Sequence, residues 1–146
     1  MVLMLSMILL VFGLAFLGSR GRQYQSVIQA SQEAQAQQLA HAGVEDARVK
    51  FDRDIQFPPS LAVGQNSFSY CENLTTAGGA YLGQYRVVVD MTYSRPPFSV
   101  ACINSTGSVG PVNAPEALRT YLCYLDLTPG SANRYRVIRW DDLGCP

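Results

Sequence analysis

MVLMLSMILLVFGLAFLGS, residues 1–19, contains no charged side chain, and no proline follows it before Pro58. Together these features predict one long helix whose first part suits an apolar surrounding and whose remainder suits water. At about 1.5 Å per residue, a helix ending near Asp54 would be roughly 80 Å long. That is far more than a small domain needs for its own core, so the reading points to anchoring or assembly. The opening segment sits at the lower limit for crossing a bilayer, and residues 1–22 are expected to form a hydrophobic transmembrane or filament-core helix.

From Arg20 onward the chain becomes polar but keeps helical periodicity, which predicts an amphipathic continuation over residues 23–57. Ala36, Ala40, Gly43, Ala47, Phe51 and Ile55 recur at spacings of three and four and define one stripe, flanked by Leu39 and Val44. Small residues dominate it, so a second element can approach the helix axis closely. The Gln-rich start of this portion, Gln23 to Gln38, is expected to face neighbouring subunits. Asp46, Lys50 and Asp54 stand four apart, and Glu45 precedes Arg48 by three, giving ion pairs on the solvated side. Gly13, Gly18 and Gly21 lie at the apolar-to-polar boundary. Each costs a helix interior about 1 kcal/mol relative to alanine, so a bend or unwound turn is expected there.

Phe57-Pro58-Pro59 should end the helix, because a residue before proline is pushed toward extended geometry. Beyond it, residues 58–146 alternate strand and turn signals. Tyr81–Tyr93 is the clearest strand. Phe98–Ile103, Thr120–Leu127 and Arg134–Trp140 follow, and Ser67–Cys71 reads as a short edge strand. Asn104–Pro115, rich in Gly, Pro, Ser and Asn, reads as a loop. The expected fold is α+β: a long N-terminal helix packed by its small-residue stripe on a small antiparallel sheet.

The charges balance, 11 basic against 11 acidic residues. No concentrated basic face is present, which argues against nucleic-acid binding. Cys71, Cys102, Cys123 and Cys145 all lie beyond the helix. An even number beside an apolar segment predicts two disulfides in an oxidising compartment. Of three possible pairings, Cys71–Cys102 with Cys123–Cys145 closes loops of modest length.

His41 is the only histidine and falls within the helix, where a packing or surface role is expected rather than catalysis. Asp126, Asp141 and Asp142 could offer oxygen ligands to calcium, but an exposed acidic turn accounts for them. Asn73-Leu-Thr75 and Asn104-Ser-Thr106 match the glycosylation sequon. No enzyme activity and no cofactor are expected.

An apolar N-terminus without a preceding basic residue fits a chain from which a short basic leader was removed, leaving Met1 as the new terminus. With the cysteines and the long helix, this resembles the type IV filament superfamily, the type IV pilins and type II secretion pseudopilins. Gln38-Leu-Ala-His-Ala-Gly-Val-Glu-Asp-Ala47 is similar to a stretch in the N-terminal region of PilX-like minor pilins. The pair Cys123 and Cys145 looks like the disulfide-bounded C-terminal loop of many pilins.

The resemblance implies a four-stranded antiparallel, pilin-like head, methylation of the Met1 amine, and filament-core packing through Met1, Leu5, Ile8, Phe12 and Phe16. It implies a homo-oligomer or co-assembly with other pilins. The subunit would be held in a bacterial inner membrane before assembly, then in a cell-surface or periplasmic filament. The family usually carries glutamate where Leu5 stands and proline where Arg22 stands. Tip-located minor pseudopilins lack that glutamate, so Leu5 suits a minor or tip subunit. The alternative function is a monomeric, membrane-anchored exported binding domain that uses loops such as Asn104–Pro115.

Overall fold

The computed structural model describes residues 2–54, 57, 64–111, 113–132 and 134–143; at 2–6, 8, 11, 15, 17–19, 140, 142 and 143 it describes the backbone alone. Helix α1 runs Val2–Arg53 and is followed by strands β1 (Ser67–Thr75), β2 (Tyr81–Asp90), β3 (Val100–Val109), β4 (Ala117–Asp126) and β5 (Val137–Leu143). The strands form one antiparallel sheet in the order β1-β2-β3-β4-β5. Two compact units are present, residues 1–32 and residues 33–146.

In the second unit the period-two burial of the strands meets the small-residue stripe of α1. Val87, Val89, Ile103, Tyr121, Cys123 and Leu125 point to the covered face, where Ala40, Val44, Ala47 and Phe51 are also buried. Gly43 and Gly107 set how closely helix and sheet approach. A Cβ on Gly107 would overlap the Ala36 carbonyl and the Ala40 amide nitrogen, and one on Gly43 would overlap the Ser105 hydroxyl. Only glycine admits that separation.

Three expectations change here. The helix passes through Gly13, Gly18 and Gly21 without an unwound turn. A penalty of about 1 kcal/mol per glycine is small against continuous i→i−4 hydrogen bonding in a long helix. Asn104–Val109, expected as loop, is the second half of β3, a central strand. Ser105 and Gly107 look like turn chemistry but are the small residues that let α1 lie close, while Thr106 shares a hydrogen bond with Thr120. The head has five strands and not the four that the resemblance implied; the strand read as a short edge piece over Ser67–Cys71 is β1 and continues to Thr75. Ile55, Pro58 and Pro59, parts of the expected stripe and helix stop, lie outside the described residues.

The expected Cys71–Cys102 disulfide is also corrected. Cys71 lies opposite Arg86 and Cys102 opposite Asp90, on the two flanks of β2. They are two strands apart and four residues out of step, roughly 10 Å sideways and 13 Å along the sheet. A disulfide requires Cα atoms within about 7 Å. Cys71, Cys102 and Cys123 are free, and Cys123 is buried on the covered face. Its expected partner, Cys145, lies outside the described residues, so the inference of an oxidising compartment gains no support.

Candidate assembly site

Within residues 1–32, every described large apolar side chain is exposed. Met7, Leu9, Leu10, Phe12, Leu14 and Phe16 all stand open, with Phe12 at 70% and Phe16 at 61%. Successive residues turn by about 100° around a helix, so these six encircle it instead of forming one stripe. A helix that is apolar all round is ordinarily one that ends up surrounded. Tyr24, Val27 and Ile28 then continue as a single exposed stripe. The Arg20 guanidinium lies 5.1 Å from the centroid of the Phe16 ring.

Of the residues expected to pack a filament core, Phe12 and Phe16 are thus exposed. The side chains of Leu5 and Ile8 are not described, and Met1 lies outside the described residues. Among the described residues no helix is long and apolar enough to cross a membrane. The expectation of a membrane-spanning segment over residues 1–22 therefore draws no support beyond the sequence itself.

The lower part of α1 is tied to the sheet by a polar cluster that sequence reasoning missed. Lys50 Nζ lies 2.7 Å from Asp46 on its own helix and 2.7 Å from Glu72 on β1. The Tyr85 hydroxyl donates to the other Glu72 oxygen at 2.9 Å, and Lys50 Nζ sits 4.0 Å from the Tyr70 ring centroid. Periodicity exposed the Asp46–Lys50 spacing but gave no sign that a residue 22 positions later would share the lysine. Hydrogen bonds from Lys50 and Tyr85 hold the Glu72 carboxyl below its ordinary range, against opposing burial. Burial works against the Lys50 ammonium, yet its bonds to Asp46 and Glu72 outweigh that and raise its pKa. Burial, with the nearby carboxylates, pushes both Tyr70 and Tyr85 up, so both phenols stay protonated. A second tie joins Glu33 to Arg119 of β4 at 2.6 Å.

These ties are structural in kind. The cluster pairs its charges internally and presents no free nucleophile. His41 lies with its ring centroid 4.3 Å from that of Tyr121, a packed position. Among the described residues no group of His, Cys, Asp and Glu could hold a metal ion. Asp126 accepts from the Thr128 amide at 2.8 Å and from the Thr128 hydroxyl, and Asp141 pairs with Arg139 at 2.9 Å. The Asp142 side chain is not described. Asn104 lies in mid-β3 with its Oδ1 buried.

Fold and site together define an α+β protein with a long N-terminal helix, an uncovered apolar segment at its start and a five-stranded antiparallel head. No family model, curated protein or solved structure matches the chain.

Proposed function

We propose that this chain is a structural subunit of a type IV pilus-like filament, assembling through its N-terminal apolar helix. One observation carries the reading: apolar side chains surround the helix between Met7 and Phe16, and all of those described are exposed. Burial contributes roughly 25 cal/mol per Å² of apolar surface. A fully exposed apolar helix of this length is therefore a strong drive to association. A ring of such residues is best satisfied by several neighbouring helices, whereas a single partner would cover one stripe only. Among the described residues of the head, the charged cluster around Lys50 is internally paired. Leu5 favours a minor or tip position, because a subunit without a charge there needs no partner amine.

Electron microscopy of filaments carrying an epitope-tagged copy of this chain tests the reading. Incorporation along or at the end of filaments is expected, with loss on Phe12→Asp/Phe16→Asp. A strictly monomeric protein in cells and in detergent would overturn it.

A second reading, an anchored binding domain, has one observation in its favour. Tyr93 and Phe98, in the β2–β3 loop, are 54% and 64% exposed and form an edge-to-face pair with centroids 5.6 Å apart. Aromatic anchors of this kind recur in binding surfaces. Ligand capture that survives Phe12→Asp/Phe16→Asp but fails in Tyr93→Ala/Phe98→Ala would favour it over filament assembly.

A further inference from the structure

β1 and β5 are the edge strands of the sheet, and among the described residues no strand pairs with the outer side of either. Natural edges are commonly guarded by lysine, proline, bulges or short length. β5 is the shorter, seven residues against nine, and carries Arg139 and Asp141. β1 has neither lysine nor proline, and its one irregularity lies at its end, between Leu74 and Thr75.

The outward hydrogen-bonding groups of β1 can be assigned. The Met91 amide donates to the Asn66 carbonyl at 2.7 Å, extending the β1–β2 ladder by one pair. In an antiparallel ladder, hydrogen-bonded and non-hydrogen-bonded pairs alternate. Residues 66, 68, 70, 72 and 74 therefore bond toward β2. The N–H and C=O groups of Ser67, Ser69, Cys71 and Asn73 point away from the sheet.

We propose that β1 is a homodimer interface: two copies of this chain pair antiparallel, β1 against β1, with Cys71 opposite Cys71 of the second copy. Such a pairing is isologous, with a two-fold axis through Cys71. In this register Phe68 meets Leu74, Tyr70 meets Glu72 and Ser69 meets Asn73, each pair occurring twice. On the covered face Phe68 opposes Leu74 and the Tyr70 phenol opposes the Glu72 carboxyl; on the open face the small polar residues Ser69 and Asn73 oppose one another.

Neighbouring registers fail on the same sequence. Centring on Tyr70 sets Phe68 against Glu72. Centring on Glu72 sets two carboxylates directly opposite each other, which is destabilising. Centring on Ser69 or Asn73 shortens the ladder. The Cys71 register spans the regular stretch Phe68 to Leu74 without setting Phe68 against a carboxylate or one carboxylate against another. The Cys71 thiols, exposed in each chain, would then face each other across a hydrogen-bonded pair with Cα atoms about 5.5 Å apart, within disulfide range.

The test uses the full chain in a non-ionic detergent, oxidised with diamide. Two thiols yield one S–S bond, and the diazene takes up two electrons and two protons to become a hydrazine. The parent should form a cross-linked dimer about ten-fold faster than free collision allows, because the paired strands hold the thiols at high effective concentration. Cys71→Ser should abolish the dimer, while Cys102→Ser and Cys145→Ser should leave it unchanged.

Register is tested in the Cys71→Ser background. Ser69→Cys mixed with Asn73→Cys should cross-link faster than either variant alone. Ser69→Pro removes an outward N–H and no bond to β2, so it should keep the parental melting temperature and lose dimerisation; Asn73→Pro serves if Ser69→Pro does not fold. Association through the N-terminal helices would survive these edge variants, so the two interfaces are separable. Parental cross-linking in a folded proline variant, or no preference for the mixed pair, would overturn the proposal.

Discussion

One helix is used in two ways along its length. In residues 1–32 two glycines are open: nothing described lies within 4 Å of a Cβ built on Gly13 or Gly21. In residues 33–53 the single glycine, Gly43, is closed in by Ser105, Tyr85 and Val87. Phenylalanines follow the same division, with Phe12 and Phe16 exposed and Phe51 buried. The same residue type is therefore a packing necessity in one part and a free surface in the other. The head-side part is finished within the chain, whereas the N-terminal part presents apolar surface that the chain does not cover.

Breaking the head-side part should give the largest effect. Phe51 is 6% exposed and stacks near Phe57 and Tyr135, at 4.8 and 6.3 Å between centroids. Phe51→Ala should cost about 3–5 kcal/mol, read as a lowered denaturant midpoint for the head. Phe16→Ala should leave that midpoint unchanged and weaken assembly alone. Equal losses in the two variants would erase the distinction. Gly107→Ala comes next. Its new methyl meets backbone, not a movable side chain, so about 1–3 kcal/mol should be lost as helix and sheet are forced apart.

The polar latch sharpens the comparison through pH. Glu72 titrates below its ordinary range when folded. Its contribution is present above the unfolded carboxyl pKa and fades as pH falls through the folded one. Lys50 titrates above its ordinary range, so its contribution is present below the unfolded lysine pKa and fades as pH rises through the folded one. Both groups are partly exposed, and the link should be worth only about 1 kcal/mol. Lys50→Met should lower stability by that amount at neutral pH and flatten both limbs of the melting temperature against pH. An unchanged acid limb would show that Glu72 is not held by Lys50.

Helix α1 and most strands were legible because period is a local property. Val87, Val89 and Ile103 alternate visibly, and the spacing from Ala36 to Phe51 identifies the buried face. The second half of β3 was not legible, because Ser105 and Gly107 are chosen for the closeness of α1, a partner over 60 positions earlier in the chain. The Lys50–Glu72 link and the separation of Cys71 from Cys102 depend on strand register, which no single segment specifies. Loop length suggested a disulfide where register sets two thiols far apart. At the candidate assembly site, the apolar character of residues 7–16 was plain from composition. Its exposure was not, since an apolar helix can equally well be a core helix.

The smallest effect comes from the open glycines. Gly13→Ala adds a methyl into space and replaces the residue with the highest conformational cost in a helix, so the first unit should gain about 0.5–1 kcal/mol. Circular dichroism of the detergent-solubilised chain should show slightly more helix and a later loss of the N-terminal signal on heating, with the head transition unmoved. Gly43→Ala has the same intrinsic gain but meets Ser105, and its Cβ would lie 2.9 Å from Tyr85 Cδ2. Overpacking of that kind costs about 1–3 kcal/mol, enough to reverse the sign. The two substitutions share one chemistry and one helix, so opposite signs would place the difference in their surroundings. A gain at both positions would mean that α1 is not held against β2 and β3 at Gly43, and the division between the two parts of the helix would fail there first.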